Sequence, residues 1–547
     1  MKRAVITLAI LLALAPAPLC ADNALITRFE LPFKDKQARY FFSDEHTFYF
    51  GDQASRTIYR VKDDFTLGQI EDMKGWYIAD ACMTGGRVYF CSRQRILCKK
   101  NGKVINHPVP GTADLLSITT AHAGFYLLDE NNGRYLIHHS DGGFGILQTM
   151  ACPGRQPADI QFFNGALWIY DIKTRCVIKF DPTKQTELFS VYTDADNSYS
   201  KGFIFFKGKL YIHNRGTSSL DLVDFKETET AVLSLPSRVT YRYVLESRNL
   251  SATQVCRARF AVPVPGNAAD QTVESLTWLS PPQAIKDDRY EQPVACFEQV
   301  IPAPGSFTLG YRAQAVTWAV RYKITELPLS ALENIPDDIK KEYLADDSRF
   351  CMESPLMKEA ALAARTDAAG NEPGGVKQLI ENIARYIITR MEYNMDDTWE
   401  NAGAVLKIGR GSCSEYSFVF SALARLNNIP TRLVGGIIIK DKENSFHRWT
   451  EVFYPGIGWV PVDVTALDSS DPSSWDFEFL FGKPQNRIVL SRMGGTDGTE
   501  LGVEAYGAKR YSGGTRERKY YTVTESFGPL AGKNGRVIAI PPPQTEK

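Results

Sequence analysis

From about residue 40 to residue 226 one apolar pattern recurs along the chain. Its versions are Thr47-Phe48-Tyr49-Phe50-Gly51-Asp52, Arg87-Val88-Tyr89-Phe90-Cys91-Ser92, Gly124-Phe125-Tyr126-Leu127-Leu128-Asp129, Ala166-Leu167-Trp168-Ile169-Tyr170-Asp171 and Lys209-Leu210-Tyr211-Ile212-His213-Asn214. The aromatic anchors Tyr49, Tyr89, Tyr126, Trp168 and Tyr211 stand roughly 40 residues apart, a period typical of propeller blades. A short polar turn and a second strand follow each anchor, as in Thr57-Ile58-Tyr59-Arg60-Val61 and Cys176-Val177-Ile178-Lys179-Phe180. Each such unit would bury its apolar face against its neighbours, which is why these repeats come in arrays. Five copies predict a β-propeller-like repeat domain over residues 22–235. An irregular β-sandwich is the alternative that the same pattern allows.

The alternation changes over residues 236–327. Thr240-Tyr241-Arg242-Tyr243-Val244-Leu245, Cys256-Arg257-Ala258-Arg259-Phe260-Ala261-Val262-Pro263 and Thr317-Trp318-Ala319-Val320-Arg321-Tyr322-Lys323-Ile324 read as strands between Pro/Gly turns, which predicts a β-sandwich. Residues 328–375 form a connector with helical patches at Leu329 to Tyr343 and Met357 to Ala364. Leu379, Ile380, Ile383, Ile387 and Ile388 then recur at helical spacing and open a domain over 376–503. The last stretch, 504–547, turns Gly-rich, charged and finally Pro-rich. It is expected to be partly disordered, since Pro541 to Lys547 has no apolar side chain to anchor it in a core.

Composition narrows this picture. A chain of 547 residues is too long for one hydrophobic core, and several domains are expected. Lys plus Arg number 63 and Asp plus Glu 63, a balance that points to neither nucleic acid nor an acidic polymer as partner. Lys2 and Arg3 precede an apolar run from Ala4 to Ala15, too short to span a bilayer comfortably, so residues 1–21 read as a signal peptide cleaved after Ala21. Leu19 stands where a lipidated Cys20 would want a small residue before it. The expectation is a periplasmic or secreted protein with no integral membrane segment after cleavage. Nine cysteines remain, an odd count that leaves at least one thiol unpaired within the chain; Cys256 and Cys296 fall in one β domain and could pair. No Cys/His cluster has metal-ligand spacing and no Asp-rich calcium loop is present, so no metal and no cofactor is expected.

The candidate chemistry lies between Gly411 and Thr465. Cys413 sits in Gly411-Ser412-Cys413-Ser414-Glu415-Tyr416, just ahead of Phe418, Val419, Leu423 and Leu426 at helical spacing. A cysteine on the first turn of a helix feels the positive end of the dipole and the unpaired N–H groups, which favour the thiolate. Glu415 reads as a first-turn charge suited to the same dipole. His447 opens the strand-like His447-Arg448-Trp449-Thr450-Glu451-Val452-Phe453, Pro455-Gly456-Ile457-Gly458 reads as a turn, and Trp459-Val460-Pro461-Val462-Asp463-Val464 as the returning strand. That hairpin brings His447 and Asp463 together, the base and orienter that a cysteine nucleophile needs. Trp449, two residues on and facing the same way, is placed to pack the imidazole.

These residues resemble the transglutaminase-like superfamily, whose members share a papain-like Cys-His-Asp triad. Gly411-Ser412-Cys413, the helix end Ala424 to Gly436, the His-x-Trp-x-Glu-Val element at His447 and the Gly-Trp-x-Pro-x-Asp element at Gly458 stand in the family's order. Ile383 to Tyr393 resembles the preceding helix, and Phe481-Gly482-Lys483 with Arg487-Ile488-Val489-Leu490-Ser491 the trailing segment of secreted bacterial members. The resemblance implies an α+β papain-like core with Cys413, His447 and Asp463 as catalytic residues. Some members also use an upstream aromatic to help hold the oxyanion; Trp399 is upstream here, at a spacing that leaves the correspondence open. The implied activity is thiol acyl transfer on peptide or glutamine-type carboxamide bonds. The resemblance permits hydrolysis and crosslinking alike, and hydrolysis is the expectation because crosslinking needs a site that excludes water while admitting an amine. A non-catalytic binding or assembly protein on the same scaffold is the rival reading. Protein or peptide substrates are expected, with a further protein partner at the repeat domain.

Overall fold

The computed structural model describes residues 28–30, 38–43, 47–52, 54–61, 67–73, 75–193, 202–214, 219–395, 400–440, 444–468, 480–504, 508–512 and 516–529. The signal segment 1–21, Trp399 and the Pro-rich end lie outside the described residues.

The repeats fold into separate four-stranded antiparallel sheets rather than two-stranded units. The second runs Asp80–Thr84, Arg87–Ser92, Arg95–Lys100 and Lys103–Pro108 as a simple meander, and three others follow the same pattern or nearly so. The last sheet is different, because it borrows Arg28–Glu30 from the start of the described chain as a neighbour for Ser219–Leu222. The aromatic anchors mark only the inner strands. Tyr49, Tyr126, Trp168 and Tyr211 are buried. Outer strands such as Lys103–Pro108 are largely polar and exposed, so the repeat of apolar residues does not reveal them. Apolar clusters join sheet to sheet: Ile58 with Phe90, Cys91 with Leu127, Leu128 with Ile169, Trp168 with Ile212, and Phe50 with Ile204. The last contact returns the packing from the final sheet to the first.

Two further sheets pack face to face. Ala231–Asn249 and Gly305–Tyr322 pair along nearly their whole lengths, with Gln271–Trp278 beside the latter. Opposite them lie Ala284–Asp287, Pro293–Ile301 and Cys256–Pro263. Tyr241, Tyr243 and Tyr311 meet Phe260 and Phe297 between the layers. Each sheet takes one more strand from beyond residue 503: Ala508–Ser512 pairs with Cys256–Pro263, and Arg516–Pro529 pairs with Ala231–Asn249. The stretch expected as a partly disordered extension therefore contributes two strands. The physical reason is an edge: without Arg516–Pro529, the strand Ala231–Asn249 would leave a long row of backbone donors and acceptors unpaired. The Cys256–Cys296 pairing that the sequence allowed does not occur. Cys256 faces Ile301 and Cys296 faces Ala261, an odd number of residues apart, so the two side chains point to opposite faces. All nine described cysteines are free.

The C-terminal core sets helices against an antiparallel sheet ordered Gly458–Val462, Ser445–Tyr454, Thr431–Ile438 and Arg487–Met493. Helix Val376–Ile388 buries Leu379, Ile380, Ile383 and Ile387, the face its periodicity predicts. It shares one cluster with Phe418, Val419 and Leu423 of helix Cys413–Leu426 and with Leu433 and Val452 of the sheet. The helix does not continue to Tyr393. It ends at Ile388, and Glu392–Tyr393 becomes a short strand parallel to Arg410–Gly411. Ile437, Ile439, Ile488 and Leu490 pack with the face-to-face sheets, so the core sheet is covered on both sides.

Candidate active site

Ser412 begins the site. It caps helix Cys413–Leu426: its hydroxyl accepts from the Ser414 N–H, and its own N–H donates to Glu415 Oε2 at 3.0 Å, closing a capping box. Gly411 permits this, because a Cβ there would stand 2.6 Å from the Glu415 Cβ. Glu415 is thus a buried cap residue, which is more specific than the dipole charge read from its position. Cys413 becomes the first residue of the helix, 8% exposed, where backbone N–H groups have no intrahelical acceptor.

His447 lies in strand Ser445–Tyr454 and Asp463 just past strand Gly458–Val462. The last ladder pair is Thr450 with Val462, so Asp463 continues opposite Trp449 and reaches His447 as a diagonal neighbour on the same face. His447 Nε2 is 2.8 Å from Asp463 Oδ2. The imidazole stacks on Trp449 with centroids 5.9 Å apart and planes 25° from parallel, as its spacing suggests. Trp449 is buried. Trp459 packs edge-on to Phe453 and Tyr343. Glu451 is committed to Arg432 Nε at 2.6 Å and Arg492 Nε at 3.2 Å, which makes it a structural ion cluster.

With Nε2 held by the carboxylate, Nδ1 is the ring nitrogen left to face the Cys413 sulfur, and the thiol and the imidazole are near enough for each to act on the charge of the other. Electrostatics follow the geometry. Burial works against ionising Cys413, but the His447 hydrogen bond and charge, with the Arg448 backbone N–H, hold the thiol below its ordinary value. Burial also opposes charge on His447, yet Asp463 and the bond to Cys413 outweigh it and push the imidazole up to about 9. Asp463 resists burial in the same way, and Arg487 and His447 keep its carboxyl well below the usual range. A thiolate beside an imidazolium is the state these shifts favour at neutral pH.

Cys413, His447 and Asp463 are therefore brought together. Two neighbours were not singled out from the sequence. Arg487 Nη1 donates to Asp463 Oδ2. The signal was a lone arginine leading the apolar run Ile488-Val489-Leu490. Tyr393 lies where the parallel strand passes the helix start, and burial, then the nearby Cys413 and Asp463, push its hydroxyl up to about 12. Among the described residues no group of His, Cys, Asp and Glu could hold a metal ion.

Residues 360–464 match the family model described as the transglutaminase-like superfamily. No curated protein matches the chain. Among solved structures it is similar to a candidate cysteine protease from Cytophaga hutchinsonii, at 16% identity over 57% of this chain and 96% of that one, with a TM-score of 0.42. A glutaminyl cyclase from Myxococcus xanthus gives 10%, 35%, 92% and 0.28 in the same order. Virginiamycin B lyase from Staphylococcus aureus gives 13%, 38%, 69% and 0.25. These structural likenesses are too loose to carry an argument. The family match spans the helix start, the hairpin and the aspartate that make the site, and the stretch holding Cys413, His447 and Asp463 is a transglutaminase-like core within a longer chain.

Proposed function

We propose that Cys413, His447 and Asp463 form the catalytic triad of a thiol acyl-transfer enzyme. The observation that carries this reading is a helix-start cysteine set beside His447, whose Nε2 stands 2.8 Å from Asp463 Oδ2. The thiolate attacks the carbonyl carbon of a peptide or carboxamide, and the first-turn N–H of Cys413 is a ready donor to the oxyanion. The imidazolium passes its proton to the departing amine or ammonia, leaving a thioester on Cys413. Neutral His447 then takes a proton from water as the water attacks, the acid leaves, and the thiolate–imidazolium pair is restored. Asp463 fixes the ring throughout. Hydrolysis is the favoured outcome, since amine transfer requires a site that excludes water while admitting an amine.

The five N-terminal sheets are read here as blades of a small propeller that presents protein partners or substrate through its loops. Support comes from the cluster that joins the final sheet to the first and from the borrowed strand Arg28–Glu30. The N-terminal charged and apolar segments support export. A labelled-peptide library read by mass spectrometry tests the activity. Cleaved or deamidated peptides are expected; amine adducts would redirect the reading to crosslinking, and no product with an unreactive Cys413 would sink it.

A further inference from the structure

We propose that Arg487 is a positioning residue of this site, and that the face-to-face β-sheets next to the core hold it there. The inference rests on the triad reading above. Asp463 Oδ2 accepts from both His447 Nε2 and Arg487 Nη1, while Oδ1 has no partner among the described residues. One oxygen thus divides its charge between the imidazole and a guanidinium. Arg487 also lies over the Trp449 ring, 5.8 Å from its centroid, on the indole that stacks against His447. It therefore constrains the carboxylate directly and the aromatic platform by contact.

Beyond its pairing with Ile438 in the core sheet, Arg487 is held from outside that sheet. Its carbonyl accepts from Lys483 Nζ at 3.0 Å and from Thr317 Oγ1 at 3.3 Å. Lys483 is buried and pairs with Asp270 Oδ2 at 3.0 Å. Two residues along, Val489 is clamped by one side chain: its N–H donates to Gln271 Oε1 at 2.8 Å, and its carbonyl accepts from Gln271 Nε2 at 3.0 Å. Asp270 and Gln271 lead into strand Gln271–Trp278, and Thr317 lies in strand Gly305–Tyr322. The adjoining sheets therefore fix the backbone from which the guanidinium reaches Asp463.

Charge follows from placement. Cys413 faces the pair from the nucleophile's helix, Tyr393 from the parallel strand and Arg487 from the far edge, while Arg448 on the histidine's own strand acts on Cys413 and Glu415 acts on Tyr393. With thiolate, imidazolium, Asp463 carboxylate and Arg487 guanidinium, the buried quartet is neutral. Arg487 opposes protonation of His447 through space while keeping Asp463 ionised. It lets the imidazole release its proton to a leaving group more readily than Asp463 alone would allow.

Alkylation of the full chain by iodoacetate, followed against pH, tests this without a substrate, because the anion is drawn by the imidazolium and its rate falls as that charge is lost. R487Q removes the cation and is expected to move the alkaline limb to higher pH by about half a unit or more, whereas R487K keeps the charge and the limb. Both are expected to slow alkylation severalfold. If R487Q fails to fold, R487K decides: slower alkylation at an unmoved limb supports placement by the fork of the guanidinium, and a wild-type rate overturns it. Limbs that coincide in wild type and folded R487Q overturn the role of Arg487 alone. A wild-type profile with no alkaline limb overturns the triad reading as well.

Discussion

Gly436 pairs with His447 across the ladder between Thr431–Ile438 and Ser445–Tyr454, and the space left by its missing side chain is filled by an indole. A Cβ on Gly436 would stand 2.3 Å from the Ile488 carbonyl oxygen of the neighbouring strand and 2.6 Å from the Trp449 ring. Gly436→Ala must therefore push Trp449 off its seat beneath the imidazole or move the neighbouring strand. The expected cost is about 1–3 kcal/mol by overpacking, read by denaturant unfolding. Cys413 alkylation should slow in parallel. Wild-type stability with an unchanged thiol would mean that the strand of Ile488 and the indole both have room to shift and that the indole does not fix His447.

The triad variants should separate by role. Cys413→Ala removes only a sulfur atom and should abolish turnover on any substrate found, with unfolding unchanged. His447→Ala removes the proton carrier and should cost more than Asp463→Asn, which leaves a hydrogen-bonding group beside the ring. Both losses are expected at about a hundredfold or more in kcat/KM. Activity of His447→Ala equal to wild type would rule out the relay.

The pH profile follows from the same charges. Activity should rise below the ordinary thiol range, because Cys413 ionises early, and fall as His447 loses its proton at about 9. Asp463→Asn removes the charge that raises the imidazole, so the alkaline limb should move to lower pH. Stability obeys the same sign. The folded value of His447 lies above its ordinary 6.5, so its stabilisation is complete below that pH and is lost as pH rises through about 9. The stability gap between wild type and His447→Gln should narrow above pH 9, and a gap that widened there would contradict the assigned ion pair.

Much of the site could be read from local order. Cys413 before a helical run and the Pro455–Gly458 turn are short-range signals, and the structure places the helix start and the hairpin as they imply. Arg487 could not be read this way. Its partner Asp463 lies on a different strand, and only the pairing of Arg487–Met493 with Thr431–Ile438 brings the two together. The same limit explains the missed strands after residue 503. Arg516–Pro529 is rich in charge and looks unanchored by itself, and its reason to be a strand is the free edge of Ala231–Asn249 nearly three hundred residues earlier. The exposed outer strands of the repeats, such as Lys103–Pro108, escaped because apolar periodicity marks buried strands and says little of exposed ones.

These long-range pairings set where the chain can be cut. The sheets beside the core begin before Pro236: Phe225 pairs with Ser234, and Lys323 Nζ holds Glu227 at 2.7 Å. A chain spanning 225–529 keeps those contacts, the Asp270–Lys483 pair and both late strands. It should fold, retain a Cys413 that alkylates at the wild-type rate, and process small peptides while losing preference for a macromolecular substrate. Its exposed seam would be around Val232, which packs with Trp168 and Ile212, and at Arg321, which lies over Tyr192, so modest destabilisation is expected there. A chain ending at residue 504 should fare worse, because it strips Ala231–Asn249 of its neighbour from Ser237 to Asn249 and opens the layer behind Ile437 and Ile488. Circular dichroism and alkylation of the two chains decide the matter. A folded 225–529 chain with an unreactive thiol would mean that the N-terminal sheets complete the active site, and the division of labour proposed here would fail.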